Sequence, residues 1–167
     1  MHLQEFNTTP SNQLKEFLLD CVAIESWANM LIERRPYISK TQILQMAQTL
    51  AHDWTWEDIT SALAQHPKIG YKKAKKDLSE RENTFSKQEQ ANVTLDENTH
   101  IQLQSYNTQY EEKFGFIFLI KAYGKSQTTI LEHIQRRLQH SLQIEKELAK
   151  EELIQITLLR LDREITP

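Results

Sequence analysis

His66 stands directly before Pro67 in the stretch "LAQHPKIG", residues 63–70. A proline ring crowds the backbone of the residue before it and pushes that residue toward extended geometry, so His66 falls at the break that ends a helix. An imidazole at such a break can face a pocket, and with an unperturbed pKa of ~6.5 it can move protons near neutral pH. Proline past a helix end is also ordinary punctuation, and the pair alone fits either reading. In "FSKQEQ", residues 85–90, Ser86 and Glu89 have the spacing of a capping box that opens a short helix. With Gln90 they also form a compact polar set able to line a pocket. Arg160 lies within "ITLLRLDREI" among Ile156, Leu158, Leu159 and Leu161, where it either snorkels to water or offers its planar fork to a buried acidic group. The stretch "YNTQYEEKFGFIFLIKAYGKS", residues 106–126, sets Gly115 between two phenylalanines and continues into an apolar segment. A chain that leaves helical geometry there frees backbone N–H groups for an anion or a carbonyl, although a segment that merely crosses the core has the same composition.

Other clusters point nowhere. The lysines of "KKAKK", 72–76, are followed by Asp77, Glu80 and Glu82 and have only Tyr71 as an aromatic neighbour, which describes a solvated face and not a nucleic-acid site. "YGKS" imitates the end of a phosphate-binding loop, but Leu119 stands where the first glycine of that motif is required. Gly124 then reads as a helix terminator and Ser126 as an N-cap. His133 and His140 are two helical turns apart with no ligand between them, and Cys21 is the single cysteine, so neither a metal site nor a disulfide is expected. Cys21 reads as a small core residue.

The elements that must position these groups are helical. Apolar residues recur at helical spacing in Leu14–Val22, Trp27–Leu31, Ile43–Leu50 and Ile59–Ala64. Ser39 or Thr41 is placed to cap the third of these and Thr55 the fourth. A polar middle, 71–98, has room for two short helices. Further helices are expected over Leu95–Glu112, Gln127–His140 and Ile144–Arg163, with Phe114–Ala122 as a buried segment between them. With 3 glycines, 4 prolines and 39% hydrophobic residues, the 167-residue chain has the composition of one globular domain rich in long helices. No repeat or long linker divides it. The expected architecture is an all-α, single-domain helical bundle over residues 1–167.

A net charge of -3 argues against general affinity for nucleic acid or anionic membrane. The apolar run 114–120 is far short of the ~20 residues needed to span a bilayer. Without a secretory signal pattern at "MHLQEFNTTP", a cytoplasmic location is expected.

The order of the motifs says more than any one of them. "ALAQHPKIG", "SKQEQ", the Phe-Gly-Phe segment, "RRL" at 136–138 and a closing "LLRL" together resemble the family of 2-oxo-4-hydroxy-4-carboxy-5-ureidoimidazoline (OHCU) decarboxylases, over nearly the full chain. The chain departs from the family pattern at Ile117, Lys121 and His140, where proline, a small residue and asparagine are common. The resemblance implies an all-helical, homodimeric enzyme without cofactor or metal, acting on a small-molecule substrate to make (S)-allantoin at the end of urate breakdown in purine catabolism. It implies His66 and Glu89 as catalytic residues. Ser86 and Gln90 would contact substrate, Pro67 would act through its carbonyl, the backbone at Ile120 would bind the ring or its substituents, and Arg160 would face an anionic or carbonyl group. The residues also leave open a helical interaction module without chemistry, or an enzyme acting on a related ureido heterocycle.

Overall fold

A computed structural model describes residues 1–70, 80–89 and 97–167, the side chains of Glu82, Asn83, Ser86 and Glu89 excepted. The described residues are helical, without strands beyond one isolated parallel bridge between His2 and Thr166. They group into two compact units, Met1–Ala62 with Ile154–Pro167, and Leu63–Leu153.

The first unit holds α1 (Leu3–Thr8), α2 (Ser11–Cys21), α3 (Glu25–Glu33), α4 (Lys40–Ala51) and most of α5 (Trp56–Gln65). It is completed by the last turns of α9 (Leu142–Glu164). The stripe Leu14, Phe17, Leu18 and Cys21 is buried, as its spacing predicts, and packs α2 against α3. Trp27 of α3 is fully buried, and its indole N–H donates to the Ala47 carbonyl of α4 at 3.0 Å. The polar end of this large apolar ring is thereby satisfied. Ser39 is the residue that caps α4, accepting from the Gln42 amide at 3.1 Å. Thr55 caps α5 reciprocally with Asp58: the Asp58 amide donates to Thr55 Oγ1 at 3.1 Å and the Thr55 amide to Asp58 Oδ2 at 2.9 Å.

Helix α1 was not legible as a hydrophobic stripe, because only Phe6 is buried along it. It is held from outside. The Arg35 guanidinium donates to the carbonyls of Phe6, Asn7 and Thr9 and to Ser11 Oγ, while Asn7 exchanges two 2.8 Å hydrogen bonds with the backbone of Tyr37.

The second unit holds α6 (Glu80–Glu89), α7 (Glu97–Phe114), α8 (Gln127–Arg137) and the first turns of α9. Helix α7 continues to Phe114, two residues beyond the expected end, and stops at Gly115, whose φ of +81° is open to glycine without strain. The chain then runs non-helically to Ala122, with Phe116, Phe118, Leu119, Ile120 and Ala122 buried. The rings of Phe114, Phe116 and Phe118 gather around Tyr110 at 4.6, 5.8 and 5.3 Å between centroids. Ser126 caps α8 as expected, accepting from the Thr129 amide at 3.2 Å.

Several expectations are corrected. Gly124 (φ +77°) ends no helix; it turns the chain between the buried segment and α8. Ser86 opens no helix either, because α6 begins at Glu80 and places Ser86 and Glu89 in its closing turns. In the polar middle, α6 is the helix among the described residues; "KKAKK" and Gln90 lie outside them. Helix α8 also ends at Arg137, three residues early, and the Lys113 ammonium of α7 takes up the carbonyls of Leu138 and His140 beyond it. No helix among the described residues is long and apolar enough to cross a membrane.

Candidate active site

His66 is the first residue past α5, its amide turning back to the Leu63 carbonyl at 3.1 Å, and the residue is 8% exposed. Pro67 follows outside the helix, and Gly70 takes a φ of +82° in the turn beyond it. Helix α7 holds this loop at two points. Asn107 Nδ2 donates to the Ile69 carbonyl at 3.2 Å, and Lys68 pairs with Glu111 at 2.6 Å. Asn107 is itself buried, and its Oδ1 has no hydrogen-bond partner among the described residues. The histidine thus sits on a loop that is anchored at two points to a long helix.

Ile120 is 4% exposed in the segment that follows Gly115. No hydrogen bond among the described residues engages its own N–H or carbonyl. Buried backbone polar groups are nearly always paired, because leaving water without a partner costs free energy. The Ile120 peptide groups therefore have capacity for a ligand with a complementary donor and acceptor. Its neighbours, by contrast, are bound: the Leu119 carbonyl accepts from Arg137 Nη1 at 2.6 Å, and the Lys121 amide donates to Glu152 Oε2 at 2.7 Å.

Arg137 belongs to a buried charged network that the motif "RRL" did not disclose. Its Nε donates to Glu145 Oε2 at 2.9 Å, the Tyr110 hydroxyl donates to the same oxygen, and His140 Nδ1 lies 2.7 Å from Glu145 Oε1. The guanidinium carbon is 4.7 Å from the centre of the Phe118 ring. Burial pushes the Tyr110 phenol well above the ordinary tyrosine range, which keeps its proton in place as a donor. His140 thus supplies a further partner for Glu145.

Arg160 is 3% exposed and does not snorkel; its Nη1 donates to the Cys21 carbonyl at 3.0 Å within the first unit. His66, Pro67, Ile120 and helix α6 with Ser86 and Glu89 belong to the second unit. The side chains of Ser86 and Glu89, and all of Gln90, lie outside the described residues. Among the described residues no cluster of three His, Cys, Asp or Glu side chains is arranged to hold a metal ion.

The polar residues that sequence reasoning passed over share one signal. Asn107 lies on the stripe Leu103, Asn107, Tyr110, Phe114; Arg137 continues Ile130 and Ile134; Glu145 opens Glu145, Ala149, Leu153. Each occupies a position where helical periodicity calls for an apolar side chain.

A crystal structure of OHCU decarboxylase in the presence of (S)-allantoin superposes on 89% of this chain and 96% of its own, with a TM-score of 0.73 at 23% identity. That likeness establishes the fold. The OHCU decarboxylase of Haloferax volcanii is 28% identical over 130 residues, 76% of this chain and 73% of its own length. The uric acid degradation bifunctional protein of Bacillus sp. (strain TB-90) is 27% identical over 162 residues, which is 96% of this chain. The chain spans about a third of that bifunctional protein, 32% of its length. The family model described as OHCU decarboxylase matches residues 7–162, nearly the whole chain, and the protein belongs to that family.

Proposed function

We propose that the protein catalyses cofactor-independent decarboxylation of OHCU to (S)-allantoin, the last step in converting urate to allantoin. The observation that carries this reading is the family match across residues 7–162, a span that contains every candidate site residue. In this reading residues 1–167 act as one catalytic domain, working as a homodimer in the cytoplasm without metal or cofactor. Its partner is the small-molecule substrate, with no role for nucleic acid or membrane.

The substrate's own ring explains why no cofactor is called for. When the bond to the departing carboxylate breaks, its electron pair moves into the adjacent ring carbonyl or imine, carbon dioxide leaves, and the resulting enol-like carbon takes a proton on one face. The protein has to orient the carboxylate out of the ring plane, stabilise the developing charge and direct that proton. His66 first polarises or deprotonates the ring hydroxyl, Glu89 orients the imidazole, and the same pair governs which face is protonated. Ile120 offers its backbone donor and acceptor to the ring or its substituents, and Arg160 takes an anionic or carbonyl group. Ser86, Gln90 and the Pro67 carbonyl complete the contacts. General acid–base assistance of this kind is worth roughly 10²- to 10⁴-fold.

The test generates OHCU in the cuvette by urate oxidation and hydroxyisourate hydrolysis and follows optically active allantoin by circular dichroism. Protein-dependent acceleration yielding one enantiomer, lost in a folded His66→Ala variant, is expected. Racemic product at the spontaneous rate from folded wild-type protein would refute the assignment.

A further inference from the structure

The two peptide groups that flank Ile120 are each held by a side chain from a different helix. A trans peptide is planar, and its carbonyl and N–H point in opposite directions. The Leu119 carbonyl and the Ile120 N–H share one such plane. Arg137 of α8 holds that carbonyl at 2.6 Å, so the Ile120 N–H is turned away from Arg137. The Ile120 carbonyl and the Lys121 N–H share the next plane. Glu152 of α9 holds that N–H at 2.7 Å, so the Ile120 carbonyl is turned away from Glu152. The Lys125 ammonium takes the following carbonyl, that of Lys121, at 2.8 Å. Between the Leu119 carbonyl and the Lys121 carbonyl, the donor and acceptor of Ile120 are the groups left over, in a buried residue and without a partner among the described residues.

We propose that Glu152 is a positioning residue for the reaction: through the Lys121 amide it fixes the direction in which Ile120 presents its carbonyl, while Arg137 fixes the plane on the other side. The inference rests on the function proposed above, and it concerns a side chain that need not touch the substrate. Arg137 is bound into a buried network, and replacing it disturbs far more than one peptide plane. Glu152 is half-buried near the surface of α9, which makes it the residue on which the idea can be tested cleanly.

Glu152→Leu keeps bulk and removes the acceptor; Glu152→Gln keeps an amide oxygen for the Lys121 N–H. With OHCU generated in place, E152L is expected to lose about tenfold in kcat/KM, the worth of one charge-assisted hydrogen bond, and to give allantoin of lower enantiomeric excess. E152Q is expected to stay within about threefold of wild type, because its neutral acceptor retains most of the directional hold. Hydrogen exchange at the Lys121 amide reads the bond without reference to turnover and should quicken in E152L alone. An E152L enzyme with wild-type kinetics and product purity overturns the proposal, as does equal loss in both variants. Wild-type protein that leaves OHCU to decay at its own rate overturns the assignment of function instead, so the two failures are told apart.

Discussion

Arg137 and Glu145 form an ion pair at 2.9 Å in which the carboxylate is fully shut from solvent and the guanidinium nearly so. Removing one member of such a pair strands the other charge in the interior, typically at about 3–5 kcal/mol. Glu145→Gln is therefore expected to lower the unfolding free energy by that order, measured by urea denaturation. Tyr110→Phe, which removes one neutral donor to the same oxygen, should cost about 1–3 kcal/mol. An E145Q protein as stable as its parent would show that Arg137 finds adequate compensation in the Leu119 carbonyl and the Phe118 ring.

Arg160 has a structural partner in the Cys21 carbonyl as well as its proposed part in binding. Arg160→Ala should lower the melting temperature, since a hydrogen bond from a charged donor is worth about 1.5–3 kcal/mol, and should also raise KM for OHCU. Arg160→Lys keeps the charge but loses the fork; it is expected to recover stability more fully than affinity. A lowered melting temperature with KM unchanged would confine this arginine to holding α2 and α9 together.

Two buried tyrosines set an alkaline limit. Burial raises the Tyr37 phenol to about 12, and it raises Tyr110 further. Both folded-state values lie above the ordinary value near 10, so the unfolded chain gives up these protons first as the pH rises. Their contribution to stability is complete below about pH 10; that of Tyr37 is lost between there and about pH 12, and that of Tyr110 goes on falling above it. Tyrosinate absorbance and far-ultraviolet circular dichroism, followed together, should show these phenols ionising only as helix is lost. All 5 tyrosines titrating near pH 10 with the helices intact would contradict the burial of both.

Helical periodicity carried most of the architecture. The stripes around Leu14–Cys21 and Trp27–Leu31, the caps at Ser39, Thr55 and Ser126 and the breaks at His66 and Gly115 all lie where residue types and spacing predict them. What escaped was of two kinds. Helix α1 owes its existence to hydrogen bonds from Arg35 and Asn7, contacts that reach 26 to 30 residues along the chain and leave no local pattern. The polar residues Asn107, Arg137 and Glu145 sit on apolar stripes, where a pattern search records an interruption and a folded protein builds a network. Ser86 failed for the opposite reason: its capping signature is real chemistry in a short helix, but α6 had already begun at Glu80. At the candidate site, the His-Pro break and the Phe-Gly-Phe segment were legible. The anchoring of both by α7, α8 and α9 was not, because those anchors are tertiary.

The fan of hydrogen bonds from Arg35 changes what the first eleven residues are to a protease. A six-residue helix is too short to persist alone in water. Here the carbonyls of Phe6, Asn7 and Thr9 converge on one guanidinium, and Asn7 is locked to the Tyr37 backbone. A cutting enzyme needs several residues in extended form, and obtaining them from this stretch means breaking those bonds together. Cleavage there is governed by the opening equilibrium of the Arg35 junction.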